Sequence, residues 1–385
     1  MARCSCVKRP PLSLYIHIPW CVRKCPYCDF NSHAAKQPLP EQEYVNALRE
    51  DLANELRLLD EPSSLHSIFI GGGTPSLFSA ESIAAILEDV DRQMGIASTT
   101  EVTLEANPGT FEQERFKGFK KAGVNRLSIG IQSFNDLHLQ RLGRIHSSDN
   151  AINAATHART IFDNINLDLM HGLPEQTTDQ ALADLEQAIA LEPDHLSWYQ
   201  LTLEPNTEFH ARPPTLPLDE ALWEIQECGQ ALLAKSGYQQ YEISAYARAN
   251  KLSQHNVNYW QFGDYLGIGA GAHGKVTQAS TQGLSISRHN KARQPKAYLN
   301  PMTRIAERTQ VETSDLAFEF MLNTLRLHEG VPTQLLLERT GLSLDTLEPR
   351  LKMAQAKGLL HPYETRLKPT QQGRLFLNDL LEMFL

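Results

Sequence analysis

The sequence lacks any hydrophobic run long enough to cross a bilayer, since its longest apolar stretches are only strand-sized. No apolar segment follows the positively charged residues 1–11, so we do not predict a secretory signal. Basic residues are also in deficit: 36 lysines and arginines against 45 acidic residues give a net charge of −9. This balance disfavours binding to a phosphate backbone. We therefore expect a cytoplasmic protein with no nucleic-acid partner, which would meet membranes only through its partners.

Cysteine is scarce as well, with six in 385 residues. Three of them, Cys21, Cys25 and Cys28, lie within eight residues directly after a short apolar strand. In a reducing compartment such clustering favours metal or redox chemistry over disulfides. Three thiolates are one ligand fewer than zinc or a cubane cluster usually takes from protein, which leaves one position open. Cys228 is alone in a predicted helix, and we expect it to be buried as a small hydrophobe.

A structural zinc site is the alternative interpretation of the three cysteines. Its remaining ligand would come from Cys4, Cys6, His17 or His33. Zinc knuckles usually carry paired CxxC units, however, and only Cys25 and Cys28 have that spacing. A zinc-stabilised protein that binds nucleic acid would be the corresponding function.

Strand and helix patterns alternate from Leu14 to about Gln200. The predicted strands are Leu14–Ile18, Ser67–Ile70, Glu101–Glu105, Arg126–Gly130, Asn166–Met170 and His195–Gln200. Amphipathic helical segments separate them, for example Glu41–Leu59, Ala80–Gln93 and Thr178–Leu191. Short apolar strands are typical of a sheet covered on both faces. The pattern predicts a parallel α/β fold, either an open doubly wound sheet or a full or partial barrel.

In both architectures, functional side chains gather at the carboxyl ends of the strands. The polar and glycine-rich positions of this chain follow that rule. After the cysteines, these positions are Gly71–Pro75, Glu105–Pro108, Gln132 and Asp168. Each position alone is compatible with a turn or a helix cap. Their shared position at one rim predicts a binding site there.

The rest of the chain differs in character. We assign residues 1–12 to a tail, 13–217 to the barrel, 218–305 to a connecting segment and 306–385 to a C-terminal domain. Three helical patterns followed by short strand-like stretches predict that the last domain is mostly α and winged-helix-like. Its third helix has a face of mixed charge, which favours packing against the barrel over DNA binding.

The CxxxCxxC spacing after the first strand, followed by an aromatic residue, resembles the radical S-adenosylmethionine superfamily. The resemblance implies that the three thiolates hold a [4Fe–4S] cluster whose fourth iron is chelated by S-adenosylmethionine. It also implies a partial (β/α)6 barrel, in agreement with the six predicted strands. A flavodoxin- or ferredoxin-like reducing partner is a further implication.

Further motifs resemble the oxygen-independent coproporphyrinogen-III oxidase family, which belongs to porphyrin metabolism. They are Tyr15–Cys21, Gly71–Pro75, Glu105–Pro108, Arg126–Phe134 and Asp168–Pro174, together with the C-terminal domain. The resemblance implies a first S-adenosylmethionine site formed by Tyr15, Gly72, Gly73, Thr74 and Glu105. It implies contacts to a second S-adenosylmethionine from Tyr27, Gln132, Arg144 and Asp168.

Two departures separate this chain from the oxidase. Phe30 occupies the position of a further oxidase cysteine, and only twenty residues precede Cys21 where the oxidase has a longer segment. CxxxCxxCxF is the pattern of the family's heme-chaperone branch, which also carries an HNxxYW motif. The chain matches that motif at His255, Asn256, Tyr259 and Trp260.

The HNxxYW motif suits heme chemically, because histidine is a good axial iron ligand and aromatic rings can cover a porphyrin face. Without the resemblance, the same residues could be a loop histidine, a helix-capping asparagine and two core aromatics. The resemblance implies a heme chaperone that binds heme, the cluster and S-adenosylmethionine and passes heme to acceptor proteins. The alternative function is radical oxidative decarboxylation of coproporphyrinogen III.

Overall fold

A computed structural model of the protein describes residues 9–35, 38–59, 64–280 and 283–385, and it is built around one large sheet. The strands of the described residues are β1 (Leu12–Ile18), β2 (Trp20–Cys21), β3 (His33–Ala34), β4 (Leu65–Gly72), β5 (Glu101–Ala106), β6 (Arg126–Gln132), β7 (Ile165–His171), β8 (His195–Gln200), β9 (Gln239–Gln240), β10 (Ala245–Ala247), β11 (Asp264–Ile268), β12 (His273–Ser280), β13 (Gly283–Lys291), β14 (Ile305–Gln310), β15 (Val331–Pro332) and β16 (Arg366–Leu367). The main sheet has twelve strands in the order β14-β13-β12-β11-β1-β4-β5-β6-β7-β8-β10-β9.

Helices follow the central strands and cover the sheet. The α-helices of the described residues are α1 (Glu41–Leu56), α2 (Ala80–Met94), α3 (Thr110–Ala122), α4 (Asp136–Arg141), α5 (Ser148–Arg159), α6 (Thr178–Ala190), α7 (Glu208–Ala211), α8 (Asp219–Lys235), α9 (Gln254–Trp260), α10 (Pro295–Leu299), α11 (Thr313–Thr324), α12 (Gln334–Thr340), α13 (Leu344–Ala356), α14 (Gln371–Leu375) and α15 (Leu377–Glu382). None of these helices has both the length and the apolar character needed to span a bilayer.

The six predicted strands are confirmed as β1 and β4–β8, which pair in parallel along the chain order. Their aliphatic residues are buried, as the short apolar patterns required, whereas Phe69 of β4 is only partly buried. The helix between β4 and β5 shows the local cause of the packing. Ser79 caps the first turn of α2 by accepting a hydrogen bond from the Ser82 N–H, and Ile83, Leu87 and Val90 then face the core. The predicted α/β class is confirmed, and among the described residues the end strands of the sheet, β14 and β9, do not pair with each other.

The stretch predicted as a connecting segment adds strands to both sides of the sheet. β9 and β10 extend it beyond β8, whereas β11 pairs in parallel with β1 and leads into β12 and β13. β14 completes that side of the sheet, and all but its first residue come from the stretch predicted as the C-terminal domain. The glycine-rich stretch from β11 to β12 permits the close approach of these two strands. A Cβ on Gly267 would lie 1.9 Å from the carbonyl oxygen of His273, so no larger residue fits there.

A buried ion cluster fixes the β13 side of the sheet to α1. Lys291 donates to Asp51 and to Glu55, both at 2.6 Å, and all three side chains are almost completely buried. His289 Nδ1 lies 2.8 Å from the second Glu55 oxygen. Because α1 follows β1, the cluster ties the late strands to the start of the barrel.

The C-terminal domain is mostly helical, as predicted, and has a core of its own built on α11, α12, α13 and the β15–β16 pair. Phe262 and Ile286, from the region of the main sheet, belong to the same apolar cluster. The domain therefore packs against the barrel sheet.

The prediction for Cys228 is wrong, because its side chain is exposed. Helix α8 turns Ile225, Gly229 and Leu233 towards the core. Cys228 directly precedes Gly229 and points about 100° away from that face.

Candidate cofactor site

A cavity of about 690 Å³ lies at the carboxyl ends of the barrel strands. Its volume falls within the range of roughly 300–1,000 Å³ typical of ligand pockets. The predicted residues that line it are Cys21, Cys25, Tyr27, Cys28, Gly72, Gly73, Thr74, Glu105, Gln132, Arg144 and Asp168. We call this the cysteine cavity. Tyr15 is the one predicted cluster or S-adenosylmethionine residue that lies elsewhere, in a second cavity described below.

Each of the three sulfur atoms has its own polar neighbour. Thr74 Oγ1 donates to Cys21 Sγ at 3.4 Å, and Arg144 Nη1 donates to Cys25 Sγ at 3.8 Å. Ser32 Oγ lies 3.8 Å from Cys28 Sγ. Burial raises the pKa of the Cys21 and Cys28 thiols, and the hydrogen bonds of Thr74 and Ser32 oppose that shift. Such donors stabilise thiolates, which are the ligand form of cysteine.

The donor set fits a cubane cluster. Within the described ranges, no three His, Cys, Asp or Glu side chains meet around a point that one metal ion could occupy. A cubane makes a different demand, because each thiolate binds its own iron and the sulfurs need only border one cavity. Cys21, Cys25 and Cys28 do so. Cys4 and Cys6, the other cysteines considered for a zinc site, lie outside the described residues.

Asn107 connects two of the sulfur donors; the sequence placed it at the predicted rim within Glu105–Pro108 but gave it no role of its own. Its Nδ2 donates to Thr74 Oγ1 at 2.9 Å, and its Oδ1 accepts from Arg144 Nη2 at 2.6 Å. Arg144 also donates to the Gly130 carbonyl at 2.7 Å. A hydrogen-bonded chain therefore runs from Cys21 to Cys25 through three side chains. The Glu-Ala-Asn-Pro motif at the end of β5 was the available signal.

Two glycines bring backbone to the cavity wall. Gly72 has φ +120°, and a Cβ there would lie 2.7 Å from the His17 ring. A Cβ on Gly73 would lie 2.6 Å from the Trp20 carbonyl oxygen, next to the cysteine loop. The Gly72 N–H donates to Glu105 Oε2 at 3.1 Å. Glycine is required at both positions, because any side chain would displace the loop or the strand.

Two half-buried carboxylates, those of Glu105 and Asp168, face the barrel interior. Burial and the charge of Asp168 raise the pKa of Glu105 to about 8, and only the Gly72 N–H opposes the shift. Burial also raises the pKa of Asp168, although Asn166 and Ser128 donate to it at 2.9 and 3.0 Å. A cationic ligand between them would favour the ionised forms, since an opposite charge stabilises a carboxylate.

Glu105 predicts a pH dependence of the cofactor-free protein. Its folded pKa of about 8 exceeds the unfolded value of roughly 4.3, so the folded state keeps a proton that the unfolded state loses. This contribution is full below about pH 4 and is lost as pH rises through about 8. We expect Glu105→Gln to remove that loss, with a gain over the unaltered protein that grows to the order of 5 kcal/mol at pH 9. Urea unfolding at several pH values measures it.

The exposed Glu186 of α6 provides the matched control, because Glu186→Gln removes a carboxylate without changing the barrel interior. A Glu105→Gln profile parallel to that of the unaltered protein would contradict the assignment.

The residues predicted for a second S-adenosylmethionine lie on the β6–β8 side of the cysteine cavity. Gln132 has φ +71° at an irregularity between β6 and β7, a conformation that costs roughly 1 kcal/mol or more in a non-glycine residue. Its Oε1 accepts from the Tyr199 hydroxyl at 2.9 Å. Tyr27 packs against Phe209 with the ring centroids 6.4 Å apart. Tyr199 was not predicted, and its place at the end of the last barrel strand was its signal.

A second cavity of about 260 Å³, the motif cavity, continues the barrel interior. It shares Glu105, Ser128, Asp168 and Ser197 with the cysteine cavity. Its other lining residues are Tyr15, Phe69, Arg126, Asn166, His195, His255, Asn256 and Tyr259. The structure thus brings three of the four predicted motif residues to the same interior as the cysteines.

Helix α9 carries the HNxxYW motif, and its start is tied to the barrel. Ser253 caps the helix, and Glu101 Oε1 accepts from the backbone N–H groups of Gln254 and His255 at 2.9 and 3.3 Å. Asn258 donates to Ser13 Oγ at 2.9 Å. The anchoring residues therefore come from the starts of the barrel strands.

Both ring nitrogens of His255 are occupied. Nδ1 lies 3.0 Å from Ser67 Oγ, and Nε2 lies 2.8 Å from the Tyr259 hydroxyl. The side chain is 1% exposed, and burial lowers its pKa to about 3, so the ring is neutral. Trp260 points away from this cavity, with the Arg326 guanidinium 4.2 Å from its ring centroid. Iron could bind Nε2 only after the Tyr259 hydroxyl had moved.

The sequence profile of the Radical SAM superfamily matches residues 15–188, and that of the HemN C-terminal domain matches residues 311–376. The parallel barrel, with three thiolates directly after its first strand, agrees with both matches. Together they define a radical SAM protein with a HemN-type C-terminal domain.

Comparison with curated proteins identifies the family within that class. The chain is 53% identical to the Heme chaperone HemW of Haemophilus influenzae over 98% of this chain and 99% of the relative. It is 51% identical to the Heme chaperone HemW of Escherichia coli with the same coverage. The chain belongs to the HemW family.

A solved structure confirms the fold. The coproporphyrinogen III oxidase HemN of Escherichia coli, described as a radical SAM enzyme, superimposes with a TM-score of 0.81 over 98% of this chain and 90% of that chain. The two sequences are 23% identical, so this likeness concerns the fold alone.

Proposed function

We propose that the protein is a heme chaperone that binds heme, a [4Fe–4S] cluster and S-adenosylmethionine and transfers heme to acceptor proteins. The observation that carries this proposal is similarity over nearly the whole chain to proteins named Heme chaperone HemW. We further propose a cytoplasmic location and a flavodoxin- or ferredoxin-like reducing partner. The four domain boundaries given above belong to the same proposal.

Cys21, Cys25 and Cys28 would hold the cluster, with Thr74, Ser32 and Arg144 stabilising their sulfur atoms. The S-adenosylmethionine residues would be Tyr15, Gly72, Gly73, Thr74 and Glu105. A second molecule would contact Tyr27, Gln132, Arg144 and Asp168. The bound cluster and S-adenosylmethionine would supply one-electron chemistry.

Heme binding is the experiment that tests this function. The protein is reconstituted anaerobically, analysed for iron and acid-labile sulfide, and titrated with heme with and without S-adenosylmethionine. We expect cluster, sulfide and saturable heme binding together. Stoichiometric zinc without sulfide would overturn the cluster, and absence of saturable heme binding would overturn the chaperone. Turnover of coproporphyrinogen III to protoporphyrinogen would instead support the alternative oxidase.

His255, Asn256, Tyr259 and Trp260 are the proposed heme residues. We expect His255→Ala to weaken heme binding tenfold or more, because it removes an imidazole that lines the motif cavity and can bind iron. Heme titration followed by absorption measures the change, and the cluster spectrum should stay as it is. His138→Ala is the matched control, since His138 is equally buried but lies on α4 beside Gln180. Unaltered heme affinity in His255→Ala would remove His255 from the site.

A further inference from the structure

A third cavity of about 210 Å³ lies on the other side of α9, between the barrel and the C-terminal domain. We call it the junction cavity. It is lined by Tyr259, Trp260, Phe262, Gly263, Tyr265, Lys275, Arg288 and Asn323. Aromatic rings and two cations thus surround a space next to the HNxxYW helix. Such a lining suits a flat aromatic ligand that carries carboxylates.

Tyr259 lines both the motif cavity and the junction cavity. Its hydroxyl lies 2.8 Å from His255 Nε2, and its ring meets those of His255 and Tyr265 edge-on, at centroid distances of 4.7 and 4.5 Å. The Tyr259 side chain therefore separates the motif cavity from the junction cavity. Each cavity alone is smaller than the roughly 300 Å³ at which ligand pockets begin, whereas together they exceed it.

The junction cavity also has a hydrogen-bond donor without a partner. Trp260 lines the cavity, and its Nε1 is buried with no acceptor among the described residues. Arg326, whose guanidinium lies 4.2 Å from the Trp260 ring centroid, has a buried Nε that likewise lacks an acceptor there, although Arg326 does not line the cavity. Buried donors without partners are rare in folded proteins, so this group favours a ligand that brings acceptor oxygens.

The two cations at the junction cavity are already paired with protein groups. Lys275 Nζ donates to Asp264 Oδ1 at 2.7 Å, whereas Arg288 donates to Glu319 and, at 2.7 Å, to the Tyr265 hydroxyl. Arg288 is the more exposed of the two, with 27% of its side chain accessible against 2% for Lys275. A ligand carboxylate would therefore meet Arg288 first.

We propose that the junction cavity is the entry half of the heme site and that Tyr259 is its gate. This inference rests on the proposed heme-chaperone function. The porphyrin enters between α9 and the C-terminal domain, with its carboxylates towards Arg288 and Trp260 Nε1. The Tyr259 hydroxyl then leaves His255 Nε2. With its proton on Nδ1, the neutral imidazole donates the Nε2 lone pair to the iron, and no proton or electron needs to be transferred.

Heme titration of the full-length reconstituted protein tests the gate. Tyr259→Phe keeps the ring and removes the hydroxyl that occupies Nε2, so we expect about three- to tenfold tighter heme binding. His255→Ala combined with Tyr259→Phe should abolish that gain. Tyr259→Ala joins the two cavities and should speed heme uptake in stopped-flow absorption. Tyr238→Phe is the control, because it removes a buried hydroxyl that donates to the distant Pro193 carbonyl.

Arg288→Gln tests the entry half separately, and we expect heme binding to weaken severalfold while cluster content stays constant. Arg350→Gln, an arginine at the far end of the C-terminal domain, is its control. If the unaltered protein binds heme but Tyr259→Phe and Arg288→Gln match it, the gate is wrong and the chaperone function stands. A gain that persists in the double variant would also overturn the gate. If the unaltered protein binds no heme, the proposed function itself fails.

Discussion

Cys25→Ser is expected to abolish retention of the iron–sulfur cluster. The cysteine cavity offers three thiolates for a centre that needs at least three protein ligands, and no other cysteine of the described residues lines it. A serine hydroxyl is a much poorer ligand for iron, because it is not ionised at neutral pH. Iron and sulfide analysis after anaerobic reconstitution and desalting should give values close to background.

Cys228→Ser is the matched control, because it removes an exposed thiol of α8 that does not line the cysteine cavity. It should retain as much iron and sulfide as the unaltered protein. A full complement of cluster in the purified Cys25→Ser variant would show that the thiolate assignment is wrong.

Lys291→Met is expected to destabilise the fold by about 3–5 kcal/mol. The substitution leaves Asp51 and Glu55 buried without the ammonium group that both contact at 2.6 Å. Breaking a buried ion pair from one side is costly, because the remaining charge cannot be solvated. Since the ion cluster joins α1 to β13, we expect the substitution to lower the stability of the whole sheet. Urea unfolding followed by circular dichroism measures the change.

Lys352→Met is the corresponding control. Lys352 forms an ion pair with Glu348 at 3.0 Å, but both side chains are about half exposed or more, and solvent-exposed pairs contribute little to stability. Equal midpoints for the two variants would mean that the buried cluster does not stabilise the sheet as inferred.

The barrel could be predicted from the sequence because each of its strands is specified by neighbouring residues along the chain. Residues such as Ile68 and Ile70 are completely buried within one short strand, and the flanking turns mark its ends. Parallel strands between helices then bring their carboxyl ends together by topology alone. This is why the strand pattern suffices to place residues as far apart as Cys21 and Asp168 at one cavity.

The missed features depend on contacts between distant parts of the chain. Pairing of Leu12 with Asp264 brings β11 beside β1, and no local pattern specifies that partner. Asn107 gains its role only because Thr74 and Arg144 approach it from two other loops. The position of Tyr259 between two cavities likewise follows from where the C-terminal domain packs. The exposure of Cys228 depends on which face of α8 packs against the core, and the cysteine alone does not predict that face.

The open sheet also bears on self-association, because a sheet that does not close has two edges able to pair with another molecule. One edge is β9, which is only two residues long. The other is β14, whose six exposed residues include Glu307 and Arg308. A short edge and a charged edge both discourage aggregation through intermolecular strand pairing. The barrel can therefore stay open to a large ligand without becoming a template for fibrils.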